Sequence, residues 1–168
     1  MENLLSKTKQ QKFHLLKLTK KQQLTKNTFS MEFDVPENLL PNFRFEAGQY
    51  VTLQYPSKGE VFQNDFSITA APYEKKLTLG IKINSPKSST YDLFHDFQRG
   101  DSVEVSEPKG RFVLRSKPHE FRTIVGFAGG IGITPLLSHF KNILHNEPRT
   151  RLFLFYGNKT VADVPFKQ

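Results

Sequence analysis

The stretch Thr123-Ile124-Val125-Gly126-Phe127-Ala128-Gly129-Gly130-Ile131-Gly132-Ile133-Thr134-Pro135 decides how this chain is read. Its first six residues form an apolar, β-branched run of the kind found in a strand covered on both faces. Gly129-Gly130-Ile131-Gly132 then turns the chain sharply, Thr134 is placed to cap a helix, and Pro135 suits its first turn. Ile133, Leu136, Leu137, Phe140, Ile143 and Leu144 follow at helical spacing along one face. Arg151–Tyr156 reads as a second buried strand, which makes the segment one βαβ unit. A single crossover is too little for a stable parallel sheet. Gly157 opens the next loop, and residues 161–168 are too short for another crossover. Residues 121–168 are therefore expected to be the opening, truncated part of an α/β domain.

Upstream the pattern is different. Residues 13–19 and 28–35 read as strands, with period-two alternation clearest in the second, and Gln22–Asn27 joins them as a hairpin. A proline-punctuated loop at Pro36–Pro41 leads to three β-rich runs, Gln49–Tyr55, Asp65–Ala70 and Leu77–Ile83. Short strands this closely spaced argue for an antiparallel barrel or sandwich over residues 10–117. Ser89–Phe97 has the look of a short helix, apolar at Leu93, Phe94 and Phe97 and capped by Ser89 or Thr90. Ser102–Ser106 and Arg111–Leu114 read as strands either side of the Pro108-Lys109-Gly110 turn, and Ser116–Glu120 as a linker.

Composition narrows the function classes. At 168 residues and 37% hydrophobic, with 16 Phe, the chain has material for a real core. It has no cysteine, which excludes disulfides, thiolate metal sites and a Cys-ligated iron–sulfur cluster within it. The five histidines show no metal-ligand spacing and suggest no Ser–His–Asp set; His95 and His139 are expected on the surface or on a helix face. No apolar run approaches the roughly 20 residues that span a bilayer, and the start lacks a secretory core, so a cytoplasmic protein is the default expectation. The net charge is +8, and before residue 27 seven lysines (7, 9, 12, 17, 20, 21 and 26) face one acid, Glu2. Residues 1–9 read as a basic tail. Three readings stand: a solubilising tail with a lysine-rich strand edge, a docking surface for an acidic electron-transfer protein, and, third, nucleic acid, for which no binding module frames the lysines.

Four stretches in order resemble the ferredoxin–NADP reductase superfamily, closest in look to the reductase components of phenylacetate-type oxygenases and flavohaemoglobin-like reductases. They are Phe45-Glu46-Ala47-Gly48-Gln49-Tyr50-Val51; Asp65-Phe66-Ser67-Ile68 with Ala71-Pro72; Gly100-Asp101 through Pro108-Lys109-Gly110-Arg111-Phe112; and Ala128–Pro135 with Tyr156-Gly157-Asn158-Lys159-Thr160 downstream. The resemblance implies a mainly β fold: an antiparallel Greek-key flavin-binding barrel with one short helix, followed by an incomplete nicotinamide-binding βαβ domain. It implies FAD, with FMN as the alternative, and NADH or NADPH as co-substrate. Electrons would pass to an iron–sulfur, haem or flavodoxin acceptor. The rival expectation is a non-catalytic remnant or interaction module.

The resemblance also carries site residues. In the family's Arg-x-Tyr-Ser flavin motif, Ser67 takes the hydroxyl place beside the reactive nitrogen and Phe66 the aromatic place; Asp65 fills the variable position. Asn64 stands where the family has arginine and cannot supply a charged, bidentate phosphate clamp. Losing such a bond costs about 1.5–3 kcal/mol, roughly ten- to a hundredfold in affinity. Ser88, Ser89 and Thr90 occupy the helix start that completes the family's phosphate site, a natural anion position, with Lys87 beside it as a point charge. Gly129, Gly130, Gly132 and Thr134 match the nicotinamide nucleotide turn, where glycines admit a ligand to the backbone.

Overall fold

The computed structural model describes residues 11–167; the basic tail at residues 1–9 lies outside them. Six strands form one antiparallel sheet: β1 (Phe13–Thr25), β2 (Thr28–Asp34), β3 (Tyr50–Ser57), β4 (Glu60–Ser67), β5 (Leu77–Lys82) and β6 (Ser102–Ser106). Their spatial order is β4-β3-β6-β1-β2-β5. The two end strands meet where the Ile68–Leu79 bridge and the Thr69 N–H to Thr78 O bond (2.8 Å) join them, so the sheet curls into a barrel. Irregularities in the β1–β2 ladder at Leu18/Lys20 and Gln23/Thr25 supply bends of the kind bulges give.

Alternation sets the core. Leu16 and Leu18, Phe29, Met31 and Phe33, Val51, Leu53 and Tyr55, Leu77, Leu79 and Ile81, and Val103 and Val105 all point inward at every second position. Each such burial contributes about 1.5–3 kcal/mol. Helix α1 (Ser89–Asp96) closes one side, with Leu93 fully buried and Phe94 packed on Phe29 at 4.9 Å. Lys21 fixes its C-terminus: the ammonium donates to the carbonyls of Phe94 (2.6 Å) and Phe97 (2.7 Å). Burial lowers the Lys21 pKa, and Asp101 opposes that shift.

The second unit holds two parallel strands, β7 (Arg122–Gly129) and β8 (Thr150–Gly157), connected by helix α2 (Ile133–Asn146). Four of the sequence expectations change here. Arg111–Leu114 is not a strand. Tyr50–Lys109 is a single bridge, Gly110 turns the chain away, and the Phe112 carbonyl goes to His139 instead of a ladder. Among the described residues, strand β7 is covered on one face only. Helix α2 lies over Gly126, while Val125 (46%), Phe127 (74%) and Phe155 (59%) face outward, Phe127 and Phe155 stacked at 5.0 Å. Thr134 is not the cap: Gly132 holds that position, and the Thr134 hydroxyl donates to Ile131 O at 2.9 Å. Finally, Leu144 is exposed, whereas Ser138 and His139 are buried.

The last change follows from packing. Helix α2 lies between its own sheet and the barrel and so has two buried sides. Ser138 Oγ donates to Ala70 O at 2.6 Å, Lys141 pairs with Glu74 at 3.2 Å, and Tyr73 stacks on His145 at 4.0 Å. At Gly48, with φ +91°, an added Cβ would stand 1.9 Å from Phe112 O and 2.2 Å from His139 Nε2. A salt bridge secures the sheet end of this unit. Arg122 grips Glu147 through two bonds of 2.6 and 2.9 Å, joined by Thr150 Oγ1 and the Lys117 N–H.

Candidate cofactor site

Strand β4 runs antiparallel to β3 in unbroken register from Ser57–Glu60 to Tyr50–Ser67. Alternation puts Asn64 and Phe66 on one face and Asp65 and Ser67 on the other. On the first face, Asn64 Oδ1 lies 2.7 Å from the Tyr55 hydroxyl and 3.1 Å from Ser89 Oγ, and both hydroxyls donate to it. Tyr55 itself is 3.1 Å from Ser89 Oγ, and burial raises its pKa. Strand β4 is thereby fastened to the first residue of α1. Phe66, half-buried, packs against the barrel core two residues further on.

This arrangement joins Asn64 to Ser89, while Phe66 lies two residues further along the same face of β4. Ser88 is the N-cap of α1; its hydroxyl meets Thr90 Oγ1 at 3.0 Å and donates to Ser85 O at 2.7 Å. Neither Ser89 nor Thr90 caps the helix, and the Ser88 side chain makes no cap bond, so the first-turn N–H groups take no side-chain cap. Lys58 reaches the Lys87 carbonyl at 2.5 Å, adding a second ammonium at this end of the helix. Asp65 is held apart. Its carboxylate accepts from Thr52 Oγ1 at 2.5 Å and lies 4.0 Å from Lys109 Nζ, on the side of β4 opposite the Asn64 cluster. Ser67 ends the strand on that same side, half-buried opposite Tyr50.

The glycine turn opens onto a cleft of about 640 Å³ between the two units. Gly129, Gly130 and Ile131 form one wall, Gly157, Asn158 and Lys159 another, and Asn27, Thr28 and Lys82 of the barrel the third. A Cβ built at Gly129, Gly130 or Gly132 would meet nothing within 4 Å, so this backbone is open to a neighbour. Tyr156 braces the loop by donating to Gly130 O at 2.8 Å. Thr134 faces away from the cleft's centre: it is buried, and its methyl would meet a Cβ on Gly80 at 2.6 Å. Sequence patterns do not reveal the barrel's contribution. Asn27, Thr28 and Lys82 come from a hairpin turn and a strand end over 45 residues distant, and no local pattern marks them.

The donor set fits a dinucleotide and a flavin phosphate. Asn64 has its oxygen taken by two hydroxyls, leaving the Nδ2 amide as the donor end. Lys58, Lys87, Lys82 and Lys159 supply cations, and the bonds joining Asn64, Tyr55 and Ser89 involve no carboxylate. Asp163, on the edge of the larger cleft, accepts from Thr160 Oγ1 at 2.8 Å.

Comparison with known proteins agrees with this geometry. Residues 15–114 match the oxidoreductase FAD-binding domain family and residues 127–168 the oxidoreductase NAD-binding domain family. The chain is 30% identical over 157 residues to a component of the 1,2-phenylacetyl-CoA epoxidase of Escherichia coli, covering 93% of this chain and 44% of that protein. It is also 30% identical over 159 residues to NADH–cytochrome b5 reductase 1 of Arabidopsis thaliana, covering 93% and 55%. Phthalate dioxygenase reductase, described as a modular structure for electron transfer from pyridine nucleotides to [2Fe-2S], superposes with a TM-score of 0.77 at 28% identity, covering 92% of this chain and 46% of that one. The chain spans about half the length of the curated relatives it matches. With a curled antiparallel six-stranded sheet, a strand-to-helix polar clasp at Asn64–Ser89 and a glycine-lined cleft, the chain belongs to the ferredoxin–NADP reductase superfamily, with an FAD-binding domain followed by NAD-binding sequence.

Proposed function

We propose that this chain is the flavin-holding part of an NAD(P)H-dependent electron-transfer reductase, its barrel (residues 10–117) carrying the flavin and residues 121–168 opening the nicotinamide domain. One observation carries the reading: Asn64 Oδ1 accepts from Ser89 at 3.1 Å, which joins the flavin-motif strand to the phosphate helix.

The residues divide the work. The Asn64 amide and the first-turn N–H groups of Ser89 and Thr90 donate to phosphate, and the Ser88 hydroxyl shapes that turn. Phe66 offers a ring face and Ser67 a hydroxyl at the end of β4. Asp65 keeps β4 in place through Thr52 and Lys109, a supporting part. Gly129, Gly130 and Gly132 admit a second nucleotide to the backbone, Lys82 and Lys159 balance its charge, and Thr134 fastens the loop by bonding Ile131. When bound, the flavin supplies the step from a two-electron hydride donor to single-electron acceptors. The acceptor in this proposal is an iron–sulfur, haem or flavodoxin protein with an acidic face, met by the exposed Lys17 and Lys20 of β1, which is an interior strand paired on both sides and not the lysine-rich edge the sequence suggested.

The second reading, a non-catalytic interaction module, draws its support from Asn64 standing in the arginine place. The purified chain, loaded with FAD or FMN and then titrated anaerobically with NADH or NADPH, separates the two. Retained flavin absorbance that bleaches on addition supports the reductase. Flavin that is absent, or retained without bleaching, supports the module. No flavin retained after loading sinks both cofactor assignments.

A further inference from the structure

A second groove, of about 450 Å³, opens on the barrel between the segment after β2 and the turn before β5, and it shares no residue with the cleft at Gly129–Ile131. Its floor is apolar and fixed. Phe43 and Leu77 belong to the buried core, and Val35 and Phe45 pack against it. Its charged lining is all of one sign: Arg44, Lys75 and Lys76, each exposed, with no carboxylate among the described residues that line it. Lys76 is 3.6 Å from Glu32, while Arg44 and Lys75 have no acid within 4.0 Å among the described residues.

Lys75 is held where its own preference would not put it. It sits at φ +51° directly after the short Pro72–Glu74 turn, a left-handed conformation uncommon for a residue with a side chain. The turn imposes it: the Ala71 N–H donates to Glu74 Oε2 at 2.6 Å, and Lys141 of α2 anchors the same carboxylate at 3.2 Å. The turn thereby fixes the Lys75 backbone at the rim of the groove.

An apolar hollow of this size with a few convergent charges has the makeup of a small-molecule site. The positive rim selects an anionic head, and the aromatic and aliphatic floor selects a carbon tail. Arginine adds planar, two-bond recognition of a carboxylate. We propose that this groove binds a small monocarboxylate with an apolar tail, the carboxylate between Arg44 and Lys75 and the tail over Phe43, Phe45 and Leu77.

The test is a titration of the full chain with decanoate, followed by amide chemical shifts in 1H–15N spectra and by calorimetry. For a ligand of this size the expected Kd is about 0.1–1 mM, with saturable shifts centred on Val35, Arg44, Phe45, Lys75 and Leu77. Decanol should bind at least roughly tenfold more weakly, since it keeps the tail and loses the charge. The double variant Arg44→Glu/Lys75→Glu, at two exposed positions, should weaken decanoate by roughly ten- to a hundredfold and leave the rest of the spectrum unchanged. Absence of saturable shifts, equal affinity for decanol, or shifts centred on Gly129–Ile131 would each overturn the proposal. No flavin is involved, so the result is separate from the fate of the cofactor assignment.

Discussion

His139 Nε2, on helix α2, lies 2.9 Å from the carbonyl oxygen of Phe112 and donates to it, joining the nicotinamide unit to the strap that leaves the barrel. The ring is buried and meets Phe112 edge-on at 5.1 Å. Burial lowers the His139 pKa below 6.5, and the bond to Phe112 only partly opposes this. A folded-state pKa below the unfolded one means stability that is full above pH 6.5 and lost as pH falls through the folded value. Chemical denaturation should therefore show stability declining below pH 6.5, and His139→Leu should remove that component while costing about 1–3 kcal/mol near neutrality. A pH profile identical in the wild type and the variant would count against the assignment.

Gly48 faces the same junction. Gly48→Ala forces a Cβ into Phe112 O and His139 Nε2 at a φ of +91°. Gly59, in the β3–β4 turn at φ +79°, would meet nothing within 4 Å. Gly59→Ala should thus cost only the conformational penalty, about 1–2 kcal/mol. Gly48→Ala should add the clash and exceed it by roughly 2 kcal/mol or more. Urea midpoints of the two variants compare them directly, and equal losses would remove the crowding argument.

Glu147 and Arg122 should prove the most costly pair to break. Burial raises the Glu147 pKa, but the bonds from Arg122, Thr150 and the Lys117 N–H, with the Arg122 charge, together outweigh it and bring the carboxyl down to about 2. Glu147→Ala leaves a half-buried guanidinium unpaired and should cost about 3–5 kcal/mol. The depressed pKa places its acid-linked loss between about pH 4.5 and pH 2, with full stability above that window. Thermal melts of wild type and Glu147→Gln, followed from neutral pH down to the folded-state pKa, should converge at the acid end.

Asn64 offers a gain-of-function test. On the proposed function, Asn64→Arg would add a charged phosphate clamp at the sacrifice of the Tyr55 bond, and flavin binding should tighten roughly tenfold. Asn64→Asp places a like charge where phosphate would sit and should weaken it by a similar factor. Flavin fluorescence quenching measures both, and an unchanged Kd in the two variants would move the phosphate elsewhere.

The inward residues of the barrel are legible because they alternate: Phe29-x-Met31-x-Phe33 and Val51-x-Leu53-x-Tyr55 can hardly be read otherwise. Strand β4 is legible only in its last residues. Its start, Glu60-Val61-Phe62-Gln63, does not alternate, and it is a strand because β3 pairs with it residue for residue. In the site, the glycine turn and Ser88–Thr90 stand out by local chemistry. Lys21, Glu147 and the Asn27–Lys82 wall do not, since their partners lie far along the chain and only folding brings them near. The burial of His139 escapes a sequence reading for a related reason: a helix with one apolar face gives no sign that its polar side meets a second unit.

The stacked rings of Phe127 and Phe155 have a practical consequence. Benzene faces turned to water favour sticking between molecules, and what opposes this is mutual repulsion among chains carrying +8 each. Dissolved salt weakens that repulsion and strengthens the pull between oily faces. Dilute buffers should keep the chain dispersed, and concentrated sulfate should drive it into clusters held together through its parallel strands.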